Sequence, residues 1–200
     1  MGTRNLTIVI REGKTKVAQY GQWDGYPEGQ GKTILKFLKK CDLNTFRERL
    51  KYLSFLSQNG ITKLWNEFEI KGNNSIYPEL NRNTGAKILQ LIYDGKATKL
   101  WNRSNFLKDS LWCEWVYVID LDRNKFEIYS NFSAKQLTER DRFYNIKYKK
   151  NSCCQIKIVK SYSLQKLPTI KQFIKDSTFE MHEDSEETAY HIINNHKFKR

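Results

Sequence analysis

Trp115-Val-Tyr-Val-Ile-Asp-Leu-Asp-Arg-Asn-Lys-Phe-Glu-Ile-Tyr129 decides the fold of this chain. Successive side chains of a strand point to opposite faces. Trp115, Tyr117, Ile119 and Leu121 therefore fall on one face, and Val116, Val118 and Asp120 on the other. Asp122-Arg-Asn-Lys125 has turn chemistry, and Phe126-Glu-Ile-Tyr129 returns. The stretch reads as a β-hairpin whose outgoing strand is apolar on nearly every residue.

Working outward, Leu6-Thr-Ile-Val-Ile10 reads as a strand. Arg11-Glu-Gly-Lys14 forms a turn in which Gly13 can take φ > 0, and Thr15 to Tyr20 returns. Between the two hairpins the period changes to that of helices. Lys32 to Lys40 carries an apolar stripe of Ile34, Leu35 and Leu38. Asp42 or Asn44 can cap a second helix running to about Ser57 and ended by Asn59-Gly60. Asn83-Thr84 can cap a third, Gly85 to Tyr93, stopped by Asp94-Gly95. Further on, Ser133 to Phe143 suggests a short polar helix, Tyr144 to Lys150 and Gln155 to Ser161 strands, and Thr169 to Lys175 a helix. Strands on either side of a helical middle predict an α+β fold with a mainly antiparallel sheet and packed helices. Two hundred residues suit a single domain, 1–175, followed by an acidic C-terminal tail, 176–200, with a short helix near Tyr190 to Asn194.

Aromatic content of 14% argues against disorder. No apolar run is long enough to span a bilayer. The N-terminus has no secretory apolar segment, so a cytoplasmic setting with reduced cysteines is expected. Cys41, Cys113 and the vicinal Cys153-Cys154 lack metal-ligand spacing. His182, His191 and His196 sit in the acidic tail without a ligand pattern. Neither a metal nor a cofactor is expected. The net charge is +13, and residues 135–175 hold eleven Lys/Arg against Glu139 and Asp141. Such a surface draws polyanions. Lys147, Lys149, Lys150, Lys157 and Lys160 are the expected electrostatic face, so nucleic acid is a possible partner.

Tyr20-Gly-Gln-Trp-Asp-Gly-Tyr-Pro-Glu-Gly-Gln-Gly31 gathers four of the ten glycines into twelve residues. Turn chemistry alone selects such residues. A loop that contacts a ligand or partner is the second reading, because loops on rigid scaffolds often carry function. On that reading Trp23 and Tyr26 are contact faces, and Asp24 accepts hydrogen bonds from a ligand or from the loop's own amides. Gln22 and Gly25 complete the loop, and Arg4 pairs with Asp24 or an anion. Gly29-Gln-Gly-Lys-Thr33 misses the phosphate-loop pattern by one residue, which excludes the usual amide cradle. Thr62-Lys-Leu-Trp-Asn66 and Thr98-Lys-Leu-Trp-Asn102 repeat each other, and Trp65 and Trp101 are expected to be packing residues.

Two resemblances add to this reading. The opening hairpin, from Met1-Gly-Thr-Arg to Gln22-Trp-Asp24, together with the Trp115–Tyr129 hairpin, resembles the sheet of N-terminal-nucleophile hydrolases. That resemblance implies an amidohydrolase whose first residue attacks while its free amine acts as base. Here Gly2 follows Met1, so only cleavage before Thr3 exposes a nucleophile.

The Met-Gly-Thr-Arg start, the Tyr20-x-Gln-Trp-Asp-Gly-Tyr-Pro-x-Gly-x-Gly31 motif, Pro78-Glu-Leu-Asn-Arg-Asn-Thr-Gly-Ala86 and Glu114–Asp122 make a second likeness. Over roughly residues 1–131 the chain resembles a family of uncharacterised proteins common in phages and prophages. The resemblance implies a phage setting within the host cell cytoplasm. With the basic charge and the lack of a catalytic set, it leads to the expectation of a binding protein. Such a protein would inhibit a host defence component, a CRISPR effector ribonucleoprotein or an immune nucleotide signal, by occupation. The alternatives are the amidohydrolase using Thr3 and a nucleic-acid-binding accessory protein.

Overall fold

The computed structural model describes residues 2–71, 77–78, 80–132, 137–149 and 155–178. Lys150, Cys153, Cys154, the three histidines, the start of the expected helix from Ser133 and most of the acidic tail lie outside these residues. The hairpins form as read. Strand β1 (Asn5–Arg11) turns into β2 (Lys14–Gly21), and β5 (Trp115–Asp120) into β6 (Lys125–Ser130). Glu12 and Gly13 both take positive φ, 56° and 65°, which a two-residue hairpin turn following the strand twist requires. The Asp122 carboxylate accepts the amide N–H groups of both Glu12 and Gly13 at 2.8 Å, so it ties the two turns together.

The five-stranded sheet runs β2-β1-β5-β6-β7, with β7 at Lys157–Ser163. All neighbours are antiparallel except β1 and β5, which pair in parallel from Asn5 with Trp115 to Ile10 with Asp120. The fold is α+β with a mainly antiparallel sheet. Every residue of β5 is buried, which explains its near-continuous apolar sequence: it lies at the centre of the sheet and both faces are covered.

On one face Val9, Trp115, Tyr117, Ile119 and Phe126 pack against helices. These are α1 (Lys32–Lys40), α2 (Leu43–Lys51), α4 (Ile88–Tyr93) and α5 over 170–178. On the other, Leu6, Ile8, Val116, Val118 and Tyr129 meet Leu107 of the 3-10 helix Ser104–Lys108, with Cys113, Phe143 and Ile156. Asp42 caps α2 by accepting the Thr45 amide at 2.7 Å.

Two expectations change. The second helix ends at Lys51, not near Ser57. The chain then forms β3 (Ser54–Phe55), which pairs in parallel with β4 (Lys99–Leu100), and Gln58 opens α3 (Gln58–Lys71). The Ser57 hydroxyl accepts the Gly60 amide at 3.1 Å, so Ser57 starts a helix and Gly60 sits in its first turn. Nor is 144–149 a strand. The outer edge of β6 is taken by β7, and 137–149 crosses the sheet face as consecutive turns.

A buried ionic cluster pins that crossing segment. Arg142 Nη2 lies 2.6 Å from Asp120 and 2.8 Å from Glu127, and its Nε donates to Glu127 and to the Tyr129 hydroxyl. The other Asp120 oxygen accepts the amides of Asp122 and Arg123, so one carboxylate shapes the hairpin turn and holds the crossing segment. Arg142→Met leaves two buried carboxylates without a cation. Urea unfolding is expected to show a loss of about 3–5 kcal/mol, and an unchanged midpoint would overturn this account.

Burial also lifts the phenols of Tyr117 and Tyr129 well above their ordinary range. A raised folded-state pKa means stability present below about pH 10 and lost as the unfolded phenols ionise above it. The alkaline fall in stability should be shallower in Tyr117→Phe. Superimposable pH profiles would contradict that.

Candidate functional site

The twelve-residue motif is built by close backbone approach. Gly25 donates its amide to the Thr3 carbonyl at 3.0 Å, and its own carbonyl accepts the buried Tyr117 hydroxyl at 2.7 Å. A Cβ on Gly29 would stand 2.1 Å from the Asp24 carbonyl, and one on Gly31 would strike Phe173 and Tyr117. Pro27–Gly31 forms a π-helical turn that runs into α1. Within it the Gln30 amide donates to the Asp24 carbonyl and those of Gly29 and Gly31 to the Tyr26 carbonyl, so these three are not aimed at a phosphate. The glycines therefore serve the turn. The polar and aromatic members divide between the loop's own bonds and the exposed surface.

Beside this loop lies a cleft of about 570 Å³. Its walls come from four parts of the chain: Arg4, the stretch from Gln19 to Gln22, the residues around Arg82, and Trp101 to Trp112. Trp65 on α3 closes one side. The edge of β2 sets the arginines in place. The Arg103 amide donates to the Ala18 carbonyl at 3.0 Å, and the Gln22 amide to the Arg82 carbonyl at 2.9 Å.

The guanidinium of Arg103 stacks over Trp101, 4.1 Å from the ring centroid, and reaches Tyr20 at 5.1 Å. Arg4 lies 4.2 Å over Trp112. Trp65 meets Trp101 edge to face at 6.3 Å, and Tyr20 meets Phe106 at 4.9 Å. Burial raises the Tyr20 phenol above its usual range, against the pull of Arg4, Arg103 and Arg82. Burial lowers Arg103 from its own ordinary value. At the floor, Gln19 donates its amide N–H to the Tyr20 carbonyl. Its enclosed Oε1 has no partner among the described residues. Asp109 is the one carboxylate among the described lining residues, and Lys149 pairs with it.

The described lining includes no Ser, Thr, Cys, His or Lys, and the Tyr20 hydroxyl donates to Gln22 rather than to a base. The arrangement suits binding: flat aromatic faces interleaved with fixed cations.

Of the residues expected from sequence, Arg4 and Gln22 line this cleft. Trp23 adjoins it, with its indole N–H donating to Asn83 Oδ1 at 3.0 Å. Trp23 and Tyr26 are 46% and 49% exposed, as contact faces require. Asp24 takes φ 55° and spends its carbonyl on the loop; no ion pair joins it to Arg4 among the described residues. Thr3 is buried beside Gly25. Lys147 and Lys149 are exposed, and Lys157 and Lys160 lie partly buried on β7.

Arg82, Arg103 and Trp112 were not singled out by the sequence, and Trp65 and Trp101 were assigned to packing. The signal for the last two was the repeat. Its copies fall on α3 and across β4, so the backbone is not duplicated, yet the two tryptophans meet.

The interleaved cations should concentrate anions at these rings. Iodide is expected to quench tryptophan emission more strongly than caesium, with the difference shrinking once salt shortens the screening length below about 10 Å. Trp101→Phe should reduce that difference; equal quenching by the two ions would contradict the electrostatic description.

Compared with protein families, with curated proteins and with solved structures, the chain finds no match.

Proposed function

We propose that this protein acts by binding, and that its ligand is a nucleotide held in the arginine-lined aromatic cleft. The observation that carries the proposal is the layering of Arg103 on Trp101 and Tyr20 beside Arg4 on Trp112. A nucleotide presents the complement, a flat base and anionic phosphates. Base stacking on aromatic side chains contributes about 1–3 kcal/mol, and guanidiniums pair with phosphate oxygens through a planar fork. A volume near 570 Å³ suits a ligand of that size.

The proposed biological setting, a phage or prophage, rests on the motifs read in residues 1–131 of the sequence. On this reading the protein works in the host cytoplasm and disables a defence component by occupation. It would sequester an immune nucleotide signal or compete for the nucleic acid of a CRISPR effector.

Tryptophan fluorescence titrated with the four ribonucleoside monophosphates tests the binding step. Saturable quenching is expected for at least one base, weakened about tenfold or more by Trp101→Ala and by Arg103→Ala, in line with the loss of one stacked face. No quenching with any nucleotide, and no cargo in the native mass of protein purified from its host, would sink the proposal. A denatured mass starting at Thr3 would favour the amidohydrolase alternative.

A further inference from the structure

A second hollow, about 600 Å³, lies between α1 and the start of α4. Thr33, Lys36, Phe37 and Lys40 reach it from a single stripe of α1, at the spacing that puts residues on one helix face. Lys87 faces them from the turn before α4, with Leu91 on the floor. No carboxylate is found among its described lining residues, and none of the three lysines forms an ion pair among the described residues. Like charges four residues apart on a helix are mutually destabilising. Lys36 and Lys40 bear that cost, and Lys87 adds a third ammonium to the same hollow.

This groove is not isolated. Asn81 and Asn83 line both it and the arginine cleft, so one ridge separates the two hollows. On Asn83 hangs the half-exposed indole of Trp23, a flat face at the crest. A mononucleotide seated in the cleft has its phosphate beside Arg4 and Arg82 and leaves the lysine groove unfilled. Phosphates spaced along a chain reach both. Alternation of aromatic platforms with a basic track is how single-stranded nucleic acid is held without reading sequence.

Resting on the nucleotide reading of the cleft, we infer that the ligand is a single strand of linked nucleotides. It crosses the Asn81–Asn83 ridge, with one base in the cleft, a second on Trp23, and phosphates over Lys36, Lys40 and Lys87.

The test uses the full chain and oligonucleotides of one to six residues, as RNA and as DNA, titrated over a range of salt. Affinity is expected to climb with length beyond one nucleotide. The triple variant Lys36→Gln, Lys40→Gln, Lys87→Gln should flatten the slope of log K against log salt by about 2, at roughly 0.7 per phosphate neutralised. It should leave mononucleotide binding unchanged and the melting temperature no lower, since the repulsion between Lys36 and Lys40 is relieved. Trp23→Ala should weaken strands and spare mononucleotides. The tighter of the RNA and DNA series identifies the strand's sugar. Oligonucleotides that bind no better than mononucleotides, or a triple variant with the wild-type slope, would overturn the inference while leaving the cleft reading intact. Failure of every nucleotide, long or short, would overturn both.

Discussion

The Tyr117 hydroxyl, buried at the middle of the central strand, donates to the Gly25 carbonyl, and the placement of the glycine-rich loop beside the cleft follows from that bond. It draws the glycine-rich loop down onto the sheet. The loop can descend only because Gly25, Gly29 and Gly31 offer no Cβ at points where backbone or ring atoms already stand. Once seated, Gln30 uses one side chain to reach both ways. Its amide N–H donates to the Trp23 carbonyl, and its carbonyl accepts the Ala86 amide. The start of α4, the ridge at Asn83 and the Trp23 indole are thereby fixed relative to one another and to β5. A buried hydroxyl with a satisfied partner is a strong locator, because breaking it strands a polar group away from water.

Charge is arranged less simply than the total of +13 suggests. Lysine outnumbers arginine in the chain, yet the cations of the cleft are arginines, in the setting where a stacked guanidinium outperforms an ammonium. The basic segment 135–175 is partly spent on structure: Arg142 is enclosed by Asp120 and Glu127, and Lys149 pairs with Asp109. The lysines that matter to the proposed ligand, Lys36, Lys40 and Lys87, form no ion pair among the described residues and come from the helical layer instead. Local counter-charges, not the sum over a segment, decide which cations face outward.

The two hairpins and the helices at Lys32–Lys40 and Gly85–Tyr93 were legible because period and turn chemistry agree there. β5 announced its central place through an apolar residue at nearly every position. What failed to show was set by tertiary partners. Ser57 turned from a helix end into a helix start because β3 finds β4, some 45 residues ahead in the chain. The segment 144–149 has strand-like composition, but β7 already occupies the edge it would need. The site was legible only in part for the same reason. Arg4 and Gln22 lie near a conspicuous motif, whereas Arg82, Trp101, Arg103 and Trp112 come from ordinary-looking stretches. Ala18 and Gln22 hold Arg103 and Arg82 there by backbone hydrogen bonds, Trp101 lies under Arg103, and Trp112 lies under Arg4.

The parallel pairing of β1 with β5 joins residues about 110 positions apart, with helices α1 to α4 between them. The β1–β2 hairpin can close early, since its partners adjoin in sequence. The central ladder must wait until the chain has been made through Asp120, because the first strand has no lasting neighbour on its other side until then. Contacts of such long sequence separation slow folding and leave a strand edge open in the interval. During synthesis the early hairpin and the glycine-rich loop that depends on Tyr117 are therefore the vulnerable part of the molecule. The cleft proposed to bind the ligand, with Arg4 on one wall and Trp112 on another, takes shape only when that ladder has closed.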